Sequence, residues 1–306
     1  MGRLDGRVAI VTGASRGLGR AIALAFAAEG AAVAVVARTE QVWDERLPGT
    51  IGETVAEIES AGGHAAAIRA DLLAEGDPAR LVAEARSLLG PITILVNNAA
   101  FTAPGRPPKP GTTASAKPVT PVESPSASSG SGESTSSKPA VAKASWPTFV
   151  GTPLSAFRRH FEMNVFATYE LMQLVSPDMS AAGFGSIINI TSGASRMPGN
   201  GPYPDRSGGM LPGYGGSKAA MEHLTQCAAY DLAERNIAVN ALSPSKAILT
   251  PGVAYYAREF TDLATAEDFA EAAVRLALVD PNVVTGRTIG HQDVLDGNFD
   301  PYGWHG

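Results

Sequence analysis

Tyr214 and Lys218, in the stretch GYGGSK, are the residues of this chain whose spacing points most directly to chemistry. Side chains four positions apart on a helix share one face. A phenol titrates at about pH 10, too high to exchange protons readily at neutrality. A nearby ammonium favours the phenolate and draws the phenol toward a useful acid–base range. A tyrosine so placed can give a proton to an oxygen that gains charge during a reaction. A second tyrosine, Tyr203, stands upstream, but the residue four positions after it is Ser207, so it lacks the tuning charge. Tyr214 is the candidate acid.

The elements that must position this pair are legible as an alternation. Short β-branched or alanine-rich runs at 8–12, 32–37, 65–70, 92–97, 186–191, 237–242 and 283–289 read as strands. Helical patterns at 17–29, about 50–61, 78–89, 153–180, 214–235 and 266–278 lie between them. Such alternation predicts a doubly wound α/β fold, a parallel sheet with helices on both faces. The strands are almost continuously apolar, as expected when both faces are covered. The whole chain, 1–306, reads as one domain with an interruption at 102–147. That segment is rich in Pro, Ser, Thr, Ala and Gly, has almost nothing large and apolar, and is expected to be disordered.

The first strand runs into TGASRGLGR, with a helix after it. Gly13, Gly17 and Gly19 stand where a tight turn, a close backbone approach to a pyrophosphate and close helix–strand packing leave no room for a side chain. The helix from about Gly17 would aim free N–H groups at the anion. No Lys-Ser/Thr follows, which disfavours a nucleotide-hydrolysing P-loop. At the end of the second strand, where an NAD site carries an acidic residue, stands Arg38. A carboxylate there would repel a 2′-phosphate, whereas a guanidinium binds it in fork geometry. Arg16 could supply a second positive charge. NADP(H) is therefore expected over NAD(H).

Taken together these motifs resemble the short-chain dehydrogenase/reductase family, over essentially everything except 102–147 and surplus residues near 196–212. The resemblance implies a Rossmann-like domain with a seven-stranded parallel sheet. It implies cofactor contacts from Thr12, Gly13, Ser15, Arg16, Gly17, Leu18 and Gly19, and from Arg38, Asp71 and Leu72, with Asp71 on the adenine. Asn98, Ala99 and Ala100 match the motif closing the fourth strand, with Ala100 replacing its usual Gly. Pro244 and Thr250 match the segment after the sixth strand, and Ser245 departs from the usual Pro-Gly. Asn164, Ser192, Tyr214 and Lys218 match the catalytic set. In the family's chemistry, Ser192 holds a carbonyl oxygen within reach of Tyr214, Lys218 also binds the nicotinamide ribose, and Asn164 supports a water that leads protons to Lys218.

The activity implied is NADPH-dependent reduction of a ketone or aldehyde, 3-oxoacyl or similar, to an alcohol, or the reverse. A second reading is a cofactor-binding regulatory or scaffold protein whose catalysis has lapsed. The interval from Ser192 to Tyr214 is longer than the family's, and the surplus is read as a loop walling the substrate pocket, with Tyr203 a contact. The resemblance also implies a homotetramer or homodimer through helices around 155–180 and 214–235.

Composition narrows partners and place. The formal net charge is −6, with Lys and Arg scattered, which gives a nucleic-acid or anionic-membrane role little support. One cysteine, Cys227, rules out an intrachain disulfide and fits a reducing compartment. No signal-peptide pattern and no run approaching the roughly 20 apolar residues of a bilayer span is seen, so a cytoplasmic location is expected. The five histidines show no HExxH or Cys/His pairing, so no metal is expected.

Overall fold

The computed structural model describes residues 2–102, 149–202, 212–255 and 262–300. In chain order these form β1 (Val8–Thr12), α1 (Gly17–Ala28), β2 (Ala32–Ala37), α2 (Ile51–Ser60), β3 (His64–Arg69), α3 (Asp77–Leu89) and β4 (Ile94–Asn97). Then come α4 (Leu154–Phe161), a π-helical turn (Glu162–Phe166), α5 (Ala167–Ala182), β5 (Gly185–Ile190), a 3₁₀ turn (Gly193–Arg196), α6 (Pro212–Leu232) and β6 (Ile237–Ser243). Last are β7 (Ala247–Ile248), α7 (Pro251–Tyr255), β8 (Leu263–Ala264), α8 (Ala266–Ala277), β9 (Thr288–Gly290) and α9 (His291–Leu295).

Seven strands make one sheet in the order β3-β2-β1-β4-β5-β6-β9, and every neighbouring pair is parallel. The chain winds outward from β1 to β3, then returns to place β4 on the other side of β1. That reversal opens a crevice at the carboxyl ends of β1 and β4, where ligands bind in such sheets. The strands are apolar on both faces because each face carries its own core. Ala9, Val11, Val33, Val35, Ile94 and Val96 pack with Ile22 and Phe26 of α1 and Phe269 and Val274 of α8. Val8, Ile10, Ala34, Val36, Leu95 and Ile187 pack with Leu81 of α3 and Leu171 and Val175 of α5 on the other side. Phe26 and Phe269 are fully buried, each stabilising the fold by roughly 1.5–3 kcal/mol relative to an exposed ring.

Three elements differ from the sequence pattern. The strand expected at 92–97 starts at Ile94, because the Ile92 N–H donates to the Asp178 carboxylate rather than along the sheet. The strand expected at 283–289 is only Thr288–Gly290; Val283 and Val284 donate back to the Asp280 carbonyl in a turn. The helix expected at 153–180 is continuous over 154–182 but winds through a π turn that holds Asn164. Almost all of the 102–147 segment lies outside the described residues, as does Tyr203.

Candidate active site

Thr12 ends β1 and ties the floor of the crevice together. Its buried hydroxyl donates to the Val96 carbonyl (3.2 Å) and accepts from the N–H groups of Asn98 and Ala99, both at 3.0 Å. The Asn98 amide in turn donates to the Thr12 carbonyl at 2.9 Å. These bonds lock the glycine turn to the end of β4. Gly19, in the first turn of α1, sits so close that an added Cβ would stand 2.5 Å from the Gly13 carbonyl oxygen. Only glycine fits there. The α1 helix begins at Gly17 as expected, and its N-terminal N–H groups favour an anion.

The walls come from Thr12, Gly13, Ser15, Arg16, Arg38, Thr39, Leu72, Asn98, Ala99 and Ala100 among others, around a cavity of about 240 Å³. Arg16 is half-buried beneath a collar formed by the segment between β2 and α2. One of its terminal nitrogens donates to Thr39 Oγ1 (3.2 Å) and to the Gly49 carbonyl (3.0 Å). Its Nε is buried without a partner, and burial lowers the guanidinium's pKa. A capping box, Thr50 with Glu53, fixes the collar's far end at the start of α2. Arg38 is exposed across the same cavity, 3.7 Å from the Asp71 carboxylate. A tight glycine turn, an unpartnered buried guanidinium N–H and a second arginine suit a dinucleotide's phosphates. A larger groove of about 780 Å³ runs along α1 and α8 and shares only Ser15 and Arg16 with this cavity. It is lined by none of the catalytic candidates. Thr250 borders that groove and packs against Gly17.

The catalytic candidates converge despite their long separation in sequence. Ser192 leaves the carboxyl end of β5 and caps the 3₁₀ turn through the Ala194 N–H (3.2 Å). That turn packs on the first turn of α6, where a Cβ on Gly215 would stand 2.6 Å from the Ala194 carbonyl oxygen. Ser192 is thereby brought to Tyr214, where its hydroxyl favours the charged form of the phenol. Because these two turns pack together, the longer interval does not separate serine from tyrosine.

Lys218 is 1% exposed. Its Nζ donates to the Ile190 carbonyl at 2.6 Å and lies 5.8 Å from the centre of the Tyr214 ring. Burial brings its pKa down to about 7, against a smaller opposing pull from the Glu222 carboxylate. For Tyr214, burial pushes the phenol up, and the hydrogen bond with Ser192 opposes this. This corrects the expectation of a phenol drawn down by a neighbouring ammonium. The physical reason is that the phenol is itself buried, which disfavours its charged form.

Asn164 sits in the π turn, fully buried. Its oxygen accepts the Phe101 N–H (2.9 Å), and its amide donates to Ser217 Oγ (2.9 Å) and to the Phe101 carbonyl (3.2 Å). Ser217 passes this on to the Tyr214 carbonyl at 2.8 Å. The side chain of Asn164 is thus engaged in bracing α6. Sequence reasoning missed Phe101, Ser217, the Thr39–Gly49 collar and His160, which packs beside Tyr214. The one available signal for the collar was the Thr-Ile-Gly-Glu capping pattern at 50–53. Ser217, adjacent to Lys218, could have been read as pointing back to its own helix.

The short chain dehydrogenase family profile matches residues 7–116 and 147–258. Among curated proteins, the 7alpha-hydroxysteroid dehydrogenase of Escherichia coli K12 is 31% identical over 297 residues, covering 94% of this chain and 93% of its own. Among solved structures, a 7 alpha-hydroxysteroid dehydrogenase complexed with NADH and 7-oxo glycochenodeoxycholic acid is 32% identical, with a TM-score of 0.65 over 94% of this chain and 93% of that one. A candidate NAD(P) dependent gluconate 5-dehydrogenase from Beutenbergia cavernae, with NADP bound at low occupancy, is 26% identical, with a TM-score of 0.66 over 96% and 98% of the two chains. Among the described residues no helix is long and apolar enough to cross a membrane, and no group of three or more His, Cys, Asp or Glu is arranged to hold a metal ion. The glycine cradle, the parallel sheet and the Ser192–Tyr214–Lys218 cluster together with these matches assign the chain: it belongs to the short-chain dehydrogenase/reductase family and is an NAD(P)-dependent oxidoreductase of CH–OH and C=O groups.

Proposed function

We propose that the protein is an NADPH-preferring reductase of ketones, working in reverse as an alcohol dehydrogenase, with Tyr214 as its acid and base. The observation that carries this is the cluster at the carboxyl edge of the sheet, where Ser192 caps the 3₁₀ turn packed on the first turn of α6 and Lys218 is buried with its Nζ 5.8 Å from the centre of the Tyr214 ring. The cofactor, when bound, supplies or accepts the hydride. Arg16, Thr39 and Arg38 would hold its 2′-phosphate, the N-terminal amides of α1 its pyrophosphate, and Asp71 and Leu72 its adenine. Pro244 and Thr250 would border its nicotinamide end.

Each chain residue then has a defined task. Ser192 donates a hydrogen bond to the substrate oxygen and holds it beside the phenol. Tyr214 gives its proton to that oxygen as charge develops on it, and takes the proton back in oxidation. Lys218, with a pKa brought to about 7, can hold or release a proton at neutral pH and so supports the tyrosine's recharging. Asn164 keeps the first turns of α6 in register. Phe166, Tyr169 and Tyr230 are exposed on the π turn, α5 and α6, which supports assembly of a homo-oligomer through these helices.

The test is consumption of NADPH and NADH, in parallel, with a ketone panel containing a 7-oxo bile acid, a 5-keto sugar acid and a 3-oxoacyl thioester. NADPH should be favoured, at least one ketone should turn over, and Tyr214→Phe should cut kcat by about 10²–10⁴-fold. Preference for NADH would overturn the cofactor assignment. Tight NADPH binding without turnover, unaltered by Tyr214→Phe, would favour the lapsed regulator.

A further inference from the structure

His160 lies one helical turn before Asn164, in α4, and the chemistry above gives it no task. Its side chain is buried. Nδ1 is 2.9 Å from the Phe101 carbonyl oxygen, so Nδ1 carries the hydrogen and donates it. Burial holds the imidazole below its usual range, which keeps the ring neutral near pH 7. The ring packs against Phe101, with centroids 4.8 Å apart, and against Tyr214, at 6.1 Å. Gly213, the residue before Tyr214, rests directly on it: an added Cβ there would stand 2.5 Å from His160 Cδ2.

Two threads thus run from the Phe101 peptide to α6. The first goes through Asn164 to Ser217 and the Tyr214 carbonyl, and holds the backbone on the far side of the tyrosine. The second goes through His160 to Gly213 and the tyrosine ring, and holds the near side. With one thread alone, the first turn of α6 could tilt about the other.

We propose that His160 is a positioning residue for the acid: its Nδ1–H bond to Phe101 fixes the imidazole on which Gly213 and the Tyr214 ring are seated. The inference rests on Tyr214 being the acid. A displacement of about 1 Å at a reacting group costs up to about a hundredfold in rate, so a bond that sets this seat bears on kcat, while His160 itself does not line the cofactor cavity.

The test compares His160→Phe, which keeps a ring but loses the donor, with His160→Asn, which places an amide N–H near the position of Nδ1. With the ketone turned over fastest in the panel, His160→Phe should lower kcat about tenfold or more with the KM for NADPH unchanged, and His160→Asn should recover most of that loss. Hydrogen exchange of the first turn of α6 in the cofactor-free protein, a readout independent of turnover, should accelerate at least about tenfold in the Phe variant and not in the Asn variant. Wild-type kcat and exchange in His160→Phe, or equal losses in both variants, would overturn the proposal. If the Phe variant does not fold, His160→Leu, smaller and equally without a donor, takes its place with the same expectations. Tyr214→Phe separates the two readings: if it leaves turnover intact, the acid assignment fails, whereas if it abolishes turnover and His160→Phe behaves as wild type, only the positioning role fails.

Discussion

Replacing Lys218 by Met removes a buried ammonium while keeping an unbranched stem, and it should change how stability depends on pH. In the folded protein Lys218 titrates at about 7, and its ordinary value is 10.5. Between these values the unfolded chain holds a proton that the folded chain has released, so stability rises with pH across that window. Below pH 7 both states are charged and the full desolvation cost is present; by pH 10.5 it has been relieved. Using the two values, the ratio of unfolded to folded proton binding falls about fifty-fold from pH 7 to pH 9, worth about 2 kcal/mol. The assay is urea unfolding of the cofactor-free protein at pH 7 and pH 9, at one fixed protein concentration because assembly would shift the transition. The wild type should gain about 2 kcal/mol more than Lys218→Met over this interval. The lost bond to the Ile190 carbonyl lowers the variant's stability at both pH values and cancels from the difference. A wild type and variant whose stabilities move in parallel with pH would show that the ammonium remains charged when folded, and would refute the lowering of its pKa by burial.

Other perturbations address the cradle. Thr12→Val leaves the half-buried N–H groups of Asn98 and Ala99 without their acceptor and should cost about 1–3 kcal/mol in all, read by chemical denaturation. Gly19→Ala drives a methyl into the Gly13 carbonyl and should destabilise by about 1–3 kcal/mol, with NADPH binding weakened in a fluorescence titration. Arg38→Asp should weaken NADPH by at least about tenfold, the loss of one charge-assisted contact, and leave NADH binding level or tighter; an unchanged ratio of the two would remove Arg38 from the phosphate site.

Much of the site was legible because its chemistry depends on local spacing. The glycine turn is a matter of which residues can lack a Cβ between a strand and a helix, and Tyr214 and Lys218 need only one helical turn between them. The strand pattern at 283–289 is longer than the strand itself because Val283 and Val284 carry β-branched side chains but spend their N–H groups in a turn. The π turn at Asn164 is invisible in the pattern for a related reason: EMNVF fits an ordinary helix, and only the bonds from Asn164 to Phe101 and Ser217, distant in sequence, mark the turn as a brace.

By itself the sequence determined the alternating α/β pattern and the glycine turn, and it singled out Tyr214 as the candidate acid, since hydrophobic periodicity, glycine and side-chain spacing act over a few residues. Only the tertiary structure decided that Ser192 meets Tyr214 across a long insertion, that a collar from 39–50 grips Arg16, and that His160 underlies Tyr214. It also decided how far the pKa of Lys218 is lowered. A residue's type gives its ordinary pKa, but burial is set by what the rest of the chain packs around it, and here that packing takes the ammonium out of water.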